Sequence, residues 1–244
     1  MKFDPPLIEA RLIKRYKRFL ADVTLLDGST ITVHCPNTGK MTGCAEPDSR
    51  VWLSDSQNPK RKYLYTWELV ETETGLAYTH SAKANALVKE ALIENRITEL
   101  TGYEQIKAEQ PYGERGSRVD FLLQGSEAEG DRPDCFVEVK AVTLDEQGIG
   151  YFPDTVSARG LKHLEELSDC VNAGQRAVLL FCVQHQGIKE VRPAAHIDAK
   201  YAAGVEAALA QGVEVIAYRA EINTLANGEP EKITLADAVQ FSGG

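Results

Sequence analysis

The stretch "DCFVEVKAV", residues 134–142, decides how the chain is read. Cys135, Phe136, Val137, Val139, Ala141 and Val142 suit a buried β-strand, whereas Glu138 and Lys140 do not. Side chains alternate along a strand, so Phe136, Glu138, Lys140 and Val142 share one face. Residues two apart sit ~7 Å from each other, and an isolated carboxylate buried there carries a heavy desolvation cost. Three arrangements answer that cost. Glu138 and Lys140 form an exposed ion pair worth ~0–1 kcal/mol, or a buried structural pair, or part of a site where the charges meet a metal and an anion.

The preceding apolar run favours the third. In "SRVDFLL", residues 117–123, Arg118, Asp120 and Leu122 fall on one face and Val119, Phe121 and Leu123 on the other. Asp120 is again a carboxylate inside an apolar strand. The segment "QGSEAEGDRP" between the two runs reads as a polar hairpin loop, which makes the strands adjacent and antiparallel. Neighbouring strands lie ~4.8 Å apart, so Asp120 and Glu138 are expected to point into the same space. Two carboxylates that close repel unless one is protonated or a cation lies between them. Mg²⁺, or Mn²⁺ in its place, takes carboxylate oxygens together with waters and phosphate oxygens. Lys140 then holds a water or steadies developing negative charge. Asp134 and Glu138 face the same way, but four strand residues span ~13 Å. That is too far for one Mg²⁺, whose bonds are ~2.1 Å, so Asp120 is the expected partner.

Outward from this core, the chain divides by periodicity. Residues 1–80 read as five or so short strands without a helix pattern: "RLIKRYKRFLADVTLL" into Asp27-Gly28, "STITVHC", "RVWLS", "YLYTWELVE" and "LAYTH". That number of strands suits a small OB-like β-barrel. Tyr63, Tyr65 and Trp67 fall on one strand face; they stack bases or fill the barrel, and burial preference favours filling. From residue 81 the period changes. "SAKANALVKEALIEN" puts Ala84, Leu87, Val88, Ala91 and Leu92 on one helical stripe. Strands near 105–110, 118–123 and 134–142, a helix over 157–174, the strand "RAVLLFCV", a helix in "DAKYAAGVEAALAQG" and the strand "VEVIAY" follow. This order predicts an α/β domain over 81–244, with a mixed sheet flanked by helices.

Net charge is −9, but it is unevenly spread: residues 1–84 balance to +2 and the remainder to −11. The basic excess lies in "RLIKRYKR", with Lys14, Arg15, Lys17 and Arg18, and in Lys60, Arg61 and Lys62. Basic residues among aromatics are candidates for phosphate contact. In "FPDTVSARGLKHLEEL", Ser157 is placed to cap a helix whose first turns carry Arg159, Lys162 and His163. A basic helix start suits a phosphate; an exposed basic face balanced by Glu165 and Glu166, with no ligand, accounts for the same residues equally well, and His163 is a candidate proton shuttle.

Other chemistries fit poorly. The longest apolar run, "AVLLFCV", is too short to cross a bilayer. The first residues lack a signal-peptide core, and five cysteines without a CxxC pair suit a cytoplasmic protein. His34, Cys35 and Cys44 lack the fourth ligand and the spacing of a zinc site. "NTGKMTG" has Met41 where a phosphate loop needs Ser or Thr, and there is no GxGxxG, GxSxG or HExxH.

Asp120 followed by Glu138-x-Lys140 on the next strand resembles the PD-(D/E)xK nuclease superfamily, with Val119 where the proline stands. Some members carry a further Glu on the first helix, for which Glu90 is the best match. Over nearly the whole chain, "RFLADV", "HCPNTGKM", "SRVDFLL", "VEVKAVTL" and "FPDTVSARGLKHLEEL" together resemble the bacterial sugar fermentation stimulation protein A (SfsA) family. That resemblance implies an OB-like N-terminal domain, a nuclease-like C-terminal domain, DNA binding and a regulatory link to the use of sugars, especially maltose. The expectation is a cytoplasmic protein that binds single- or double-stranded DNA. It is either a Mg²⁺-dependent phosphodiesterase working through Asp120, Glu138 and Lys140, or a non-catalytic regulator that keeps the nuclease fold.

Overall fold

A computed structural model describes residues 1–113, 116–125 and 132–243. The first six strands are β1 (Ile8–Tyr16), β2 (Leu20–Leu25), β3 (Thr30–His34), β4 (Arg50–Asp55), β5 (Tyr65–Thr72) and β6 (Gly75–Tyr78). They form one sheet in the order β3-β2-β1-β4-β5-β6, and a β3–β5 pairing closes the first five into the barrel. Its interior takes Ala10, Leu12, Val23, Val33, Val51, Leu53 and Trp67.

Two local readings are corrected. The run "RLIKRYKRFLADVTLL" is not one strand but β1 and β2, folded at Lys17 and Arg18, whose φ angles of 51° and 65° are left-handed. Tyr63 precedes β5 and so does not share a strand face with Tyr65 and Trp67. Trp67 is fully buried in the barrel and donates its indole N–H to the Leu69 carbonyl at 2.9 Å.

The second half begins with α1 (Ala84–Ile93), whose buried residues are Ala84, Leu87, Val88, Ala91 and Leu92, the stripe the 3.6-residue period specifies. Then come β7 (Gln105–Tyr112), β8 (Ser117–Gln124), β9 (Cys135–Val142), β10 (Leu144–Glu146), β11 (Ile149–Phe152), α2 (Ala158–Asn172), β12 (Arg176–Val183), β13 (Glu190–Pro193), α3 (Ala199–Ala210), β14 (Glu214–Thr224), β15 (Pro230–Ala238) and β16 (Gln240–Phe241). The main sheet runs β15-β14-β12-β9-β8-β7, with β9, β12 and β14 parallel at its centre. A small sheet, β10-β11-β13-β16, lies beside it. The segment read as a hairpin loop between β8 and β9 includes residues 126–131, which fall outside the described residues.

Helix α1 packs on one face of the sheet with Val137, Val139, Leu180 and Cys182. Helices α2 and α3 cover the other through Leu164, Leu167, Tyr201 and Val205. Ser157 caps α2 by accepting a hydrogen bond from Gly160 N at 3.0 Å, and Gly174, at φ 82°, follows its last turn in the left-handed conformation. The cap is itself held, because Asp198 accepts from Ser157 N at 2.8 Å while capping α3 through Tyr201 N at 3.0 Å.

The two halves share a core. Trp52, Leu69 and Tyr78 of the first sheet pack in the same cluster as α1. Strand β6 continues onto residues after β12, with Tyr78 N donating to the Gln184 carbonyl at 2.7 Å and Gln186 N to Leu76 at 3.0 Å. Among the described residues no helix is long and apolar enough to cross a membrane. Leu87 is fully buried in the shared core. Leu87→Ala is therefore expected to lower the unfolding free energy by about 2–5 kcal/mol, read from denaturant unfolding.

Candidate active site

The β8–β9 ladder pairs Leu123 with Cys135, Leu122 with Phe136 and Phe121 with Val137. One further step sets Asp120 against Glu138. There the ladder opens, and Asp120 Oδ2 accepts from the Val139 backbone N–H at 2.7 Å. The other oxygen, Oδ1, accepts from Asn85 Nδ2 at 2.7 Å, so the first turn of α1 also holds this carboxylate. Asn85 carries no signal of this role in the sequence; a polar residue beside an apolar helical stripe is ordinary.

Strand β9 alternates as its sequence requires. Cys135, Val137 and Val139 face α1, while Phe136 and Val142 face α2 with Glu138 and Lys140 between them. The Glu138 side chain is 3% exposed and that of Lys140 is 14%, which excludes the solvated surface pair. Lys140 Nζ donates to Glu138 Oε1 at 2.6 Å. His163 of α2 also contacts Glu138 Oε1 through Nδ1, and Arg159 Nε donates to His163 Nε2 at 3.3 Å. Glu138 Oε2 is buried and has no hydrogen-bond partner among the described residues.

These surroundings push the two carboxyls apart. Burial, and then the charge of Glu138, raise the Asp120 pKa above its ordinary value. Burial also acts to raise Glu138, but the His163 hydrogen bond and the Lys140 charge outweigh it, so its pKa falls. Glu138 is thus held as the anion, and Asp120 stays ionised less readily beside it.

The remaining sequence candidates distribute unevenly. Glu90 is not at this site; it accepts from Met1 N at 2.8 Å and from Arg96 at 3.1 Å. Asp134, at the far end of β9, accepts from Gln124 at 2.7 Å. Lys162 lies 3.9 Å from Glu166, one turn beyond His163. Lys14 lies on β1, 3.8 Å from Asp22.

The barrel register gathers the other basic residues at one end. Tyr16 pairs with Leu20, Leu20 with His34, His34 with Thr66, and Asp55 with Tyr65. The β1–β2 turn with Lys17 and Arg18, the segment after β3, and the β4–β5 loop with Lys60, Arg61 and Lys62 therefore emerge together. Arg15 differs from its neighbours, because its guanidinium is spent inside this end. It donates to the carbonyls of Arg18 at 2.7 Å, Asn37 at 2.7 Å, Gly39 at 2.8 Å and Lys40 at 3.2 Å.

The same segment is held from the other side. Asp154, between β11 and α2, accepts from Lys40 N at 2.7 Å and Met41 N at 3.3 Å. Gly39 passes so close that a Cβ there would lie 2.3 Å from Asp154 Oδ2. A cleft of about 590 Å³ separates barrel from sheet, lined by Arg18, Asn37, Thr38, Lys140, Tyr151 and Thr155 among others.

A closed OB barrel braced against a mixed sheet, with an aspartate, a glutamate and a lysine gathered where two strands part, defines the class. Residues 13–79 match the profile described as the SfsA N-terminal OB domain, and 82–226 that of the sugar fermentation stimulation protein RE domain. Sugar fermentation stimulation protein homologs from Shewanella sp. (strain W3-18-1) and Shewanella baltica (strain OS195) are each 54% identical over 239 residues, covering 98% of both chains. The chain belongs to the sugar fermentation stimulation protein (SfsA) family. The fold also matches a solved structure described as Pyrococcus furiosus SfsA in complex with Ca²⁺, with a TM-score of 0.84, 24% identity and 99% of each chain covered.

Arg15→Lys replaces a four-carbonyl fork with a single ammonium. The variant is expected to lose about 1–3 kcal/mol of stability and to exchange the amide protons of Lys40 and Met41 faster, read by hydrogen–deuterium exchange.

Proposed function

We propose that the chain hydrolyses phosphodiester bonds in DNA, using Asp120, Glu138 and Lys140 with a divalent cation, Mg²⁺ or Mn²⁺. The observation that carries this reading is the orphaned Glu138 Oε2, buried beside a second carboxylate whose pKa its charge helps to raise. A buried acceptor left without a partner is costly, and a pair of neighbouring carboxylates is relieved by a cation. The donor set fits such a group: Asp120 and Glu138 would hold it. No group of three or more His, Cys, Asp or Glu placed to hold a metal occurs among the described residues, so waters and phosphate oxygens would complete the shell. That the Pyrococcus furiosus SfsA structure was described in complex with Ca²⁺ agrees with a divalent ion in this fold.

When bound, the cation would activate water and neutralise charge on the phosphate. The protein's own part is positional. Val139 N–H and Asn85 fix Asp120 in one rotamer. Lys140 supplies a positive charge beside Glu138 for the developing oxyanion. His163 and Arg159 orient Glu138 from behind. The barrel end with Lys17, Arg18, Lys60, Arg61 and Lys62 supplies phosphate contacts. The RE-domain and OB-domain matches support nucleic acid as the ligand. Five free, buried cysteines fit the reducing cytoplasm.

One observation favours a second reading. Glu138 is already ion-paired with Lys140 and in contact with His163, which is what a binding protein with a retired site and a regulatory role would retain. The two readings separate in one assay. Asp120→Asn keeps an acceptor for Val139 N–H but removes the charge. Metal-dependent cleavage of plasmid and oligonucleotide is expected for the native chain, abolished in Asp120→Asn and by chelator, with unchanged circular dichroism. Cleavage that persists in the variant refutes the assignment, and binding without any product in every metal supports the regulator. Independently, DNA affinity should fall linearly on a log–log plot against salt, with each lost phosphate contact reducing the slope by about 0.7–0.9. Lys60→Ala and Arg61→Ala are expected to flatten it in titrations by fluorescence anisotropy.

A further inference from the structure

The cleft between barrel and sheet meets the proposed site at Lys140, which lines it. Its barrel wall is Asn37, Thr38 and Gly39; its sheet wall is Lys140, Tyr151 and Thr155. Three features give it a shape of its own. The barrel wall is fixed on both sides, by Arg15 through the carbonyls of Asn37, Gly39 and Lys40 and by Asp154 through the backbone N–H groups of Lys40 and Met41. Arg18, at the basic end of the barrel, lines the same cleft as Lys140, although 122 positions separate them in sequence. Next to Arg18, Phe19 is 47% exposed, while its carbonyl accepts from Cys35 N at 2.8 Å and ties it to the root of the fixed wall. A large aromatic left in solvent beside arginine is the composition of a base-stacking platform.

The volume sets the limit. About 590 Å³ is the size of a pocket for one small molecule rather than a groove for a helix. A duplex keeps its bases stacked and its backbones apart, so neither of its strands enters such a space. An unpaired strand does, one or two nucleotides at a time.

We propose that this cleft is a channel for a single unpaired nucleic-acid strand, with Arg18 at its mouth, the exposed Phe19 next to Arg18 in the chain, Thr38 on its wall and Lys140 at its inner end. The inference deepens the hydrolytic reading, on which it rests for the identity of the ligand. Its test is a binding measurement that does not require cleavage.

Fluorescein-labelled oligothymidylate and a hairpin duplex of the same length are titrated with the full chain in chelator at fixed salt. Thr38 is exposed, so Thr38→Glu places a carboxylate in the channel without disturbing the core. The strand is expected to bind the native chain about tenfold or more tightly than the duplex, with Thr38→Glu and Phe19→Ala each weakening the strand about tenfold while leaving the duplex unchanged. Thr38→Ser is expected to match the native chain. Equal affinity for strand and duplex, or a Thr38→Glu protein that binds the strand as before, overturns the channel. Strand preference that survives when no metal yields product supports the channel and sinks the hydrolytic reading alone.

Discussion

A carboxylate stays charged inside a β-strand only if its neighbours hold it there, and Glu138 depends on two. Lys140 lies on its own strand face and His163 reaches it from α2. Removing water from Glu138 works against its charge; these partners more than restore it. The rest of the domain follows from keeping that arrangement. Strands β9 and β12 run parallel, joined by a crossover that includes the helix carrying His163. The cap of that helix is pinned by Asp198, so His163 is placed by a chain of backbone hydrogen bonds rather than by its own side chain alone.

The barrel is oriented by a comparable economy of means. Arg15 gathers four carbonyls of two loops, and Asp154 receives the backbone of one of them from across the cleft. Charge-assisted hydrogen bonds to backbone groups are directional and short, so two side chains fix a segment that has no regular secondary structure. Arg18, on the basic turn at that end of the barrel, lines the cleft that Lys140 lines from the sheet.

Much of this was legible in the sequence. The α1 stripe, the alternation of "DCFVEVKAV" and the cap at Ser157 are local consequences of period and chemistry, and the structure repeats them residue by residue. The meeting of Asp120 with Glu138 was legible because two adjacent strands each carried an unexplained charge. What escaped depends on register or on distant partners. Tyr63 falls outside β5 because a turn closed by Arg61 N on the Asn58 carbonyl, followed by a bend over 61–63, delays the strand to Tyr65. Strands β10, β11, β13 and β16 are two to four residues long and lack the length for a period to show. Glu90 and Asn85 lie on the same helix, and only the packing angle of α1 decides that Asn85 meets Asp120. Arg15 reads as one more member of a basic cluster until its four carbonyls are known.

The edge joining β6 to residues 184–186 has a mechanical consequence. Backbone hydrogen bonds there, over a core common to barrel and sheet, weld the halves where many two-part enzymes place a hinge. A weld forgoes closure around a guest. The gap between barrel and sheet is thereby held at one width by backbone rather than by side chains.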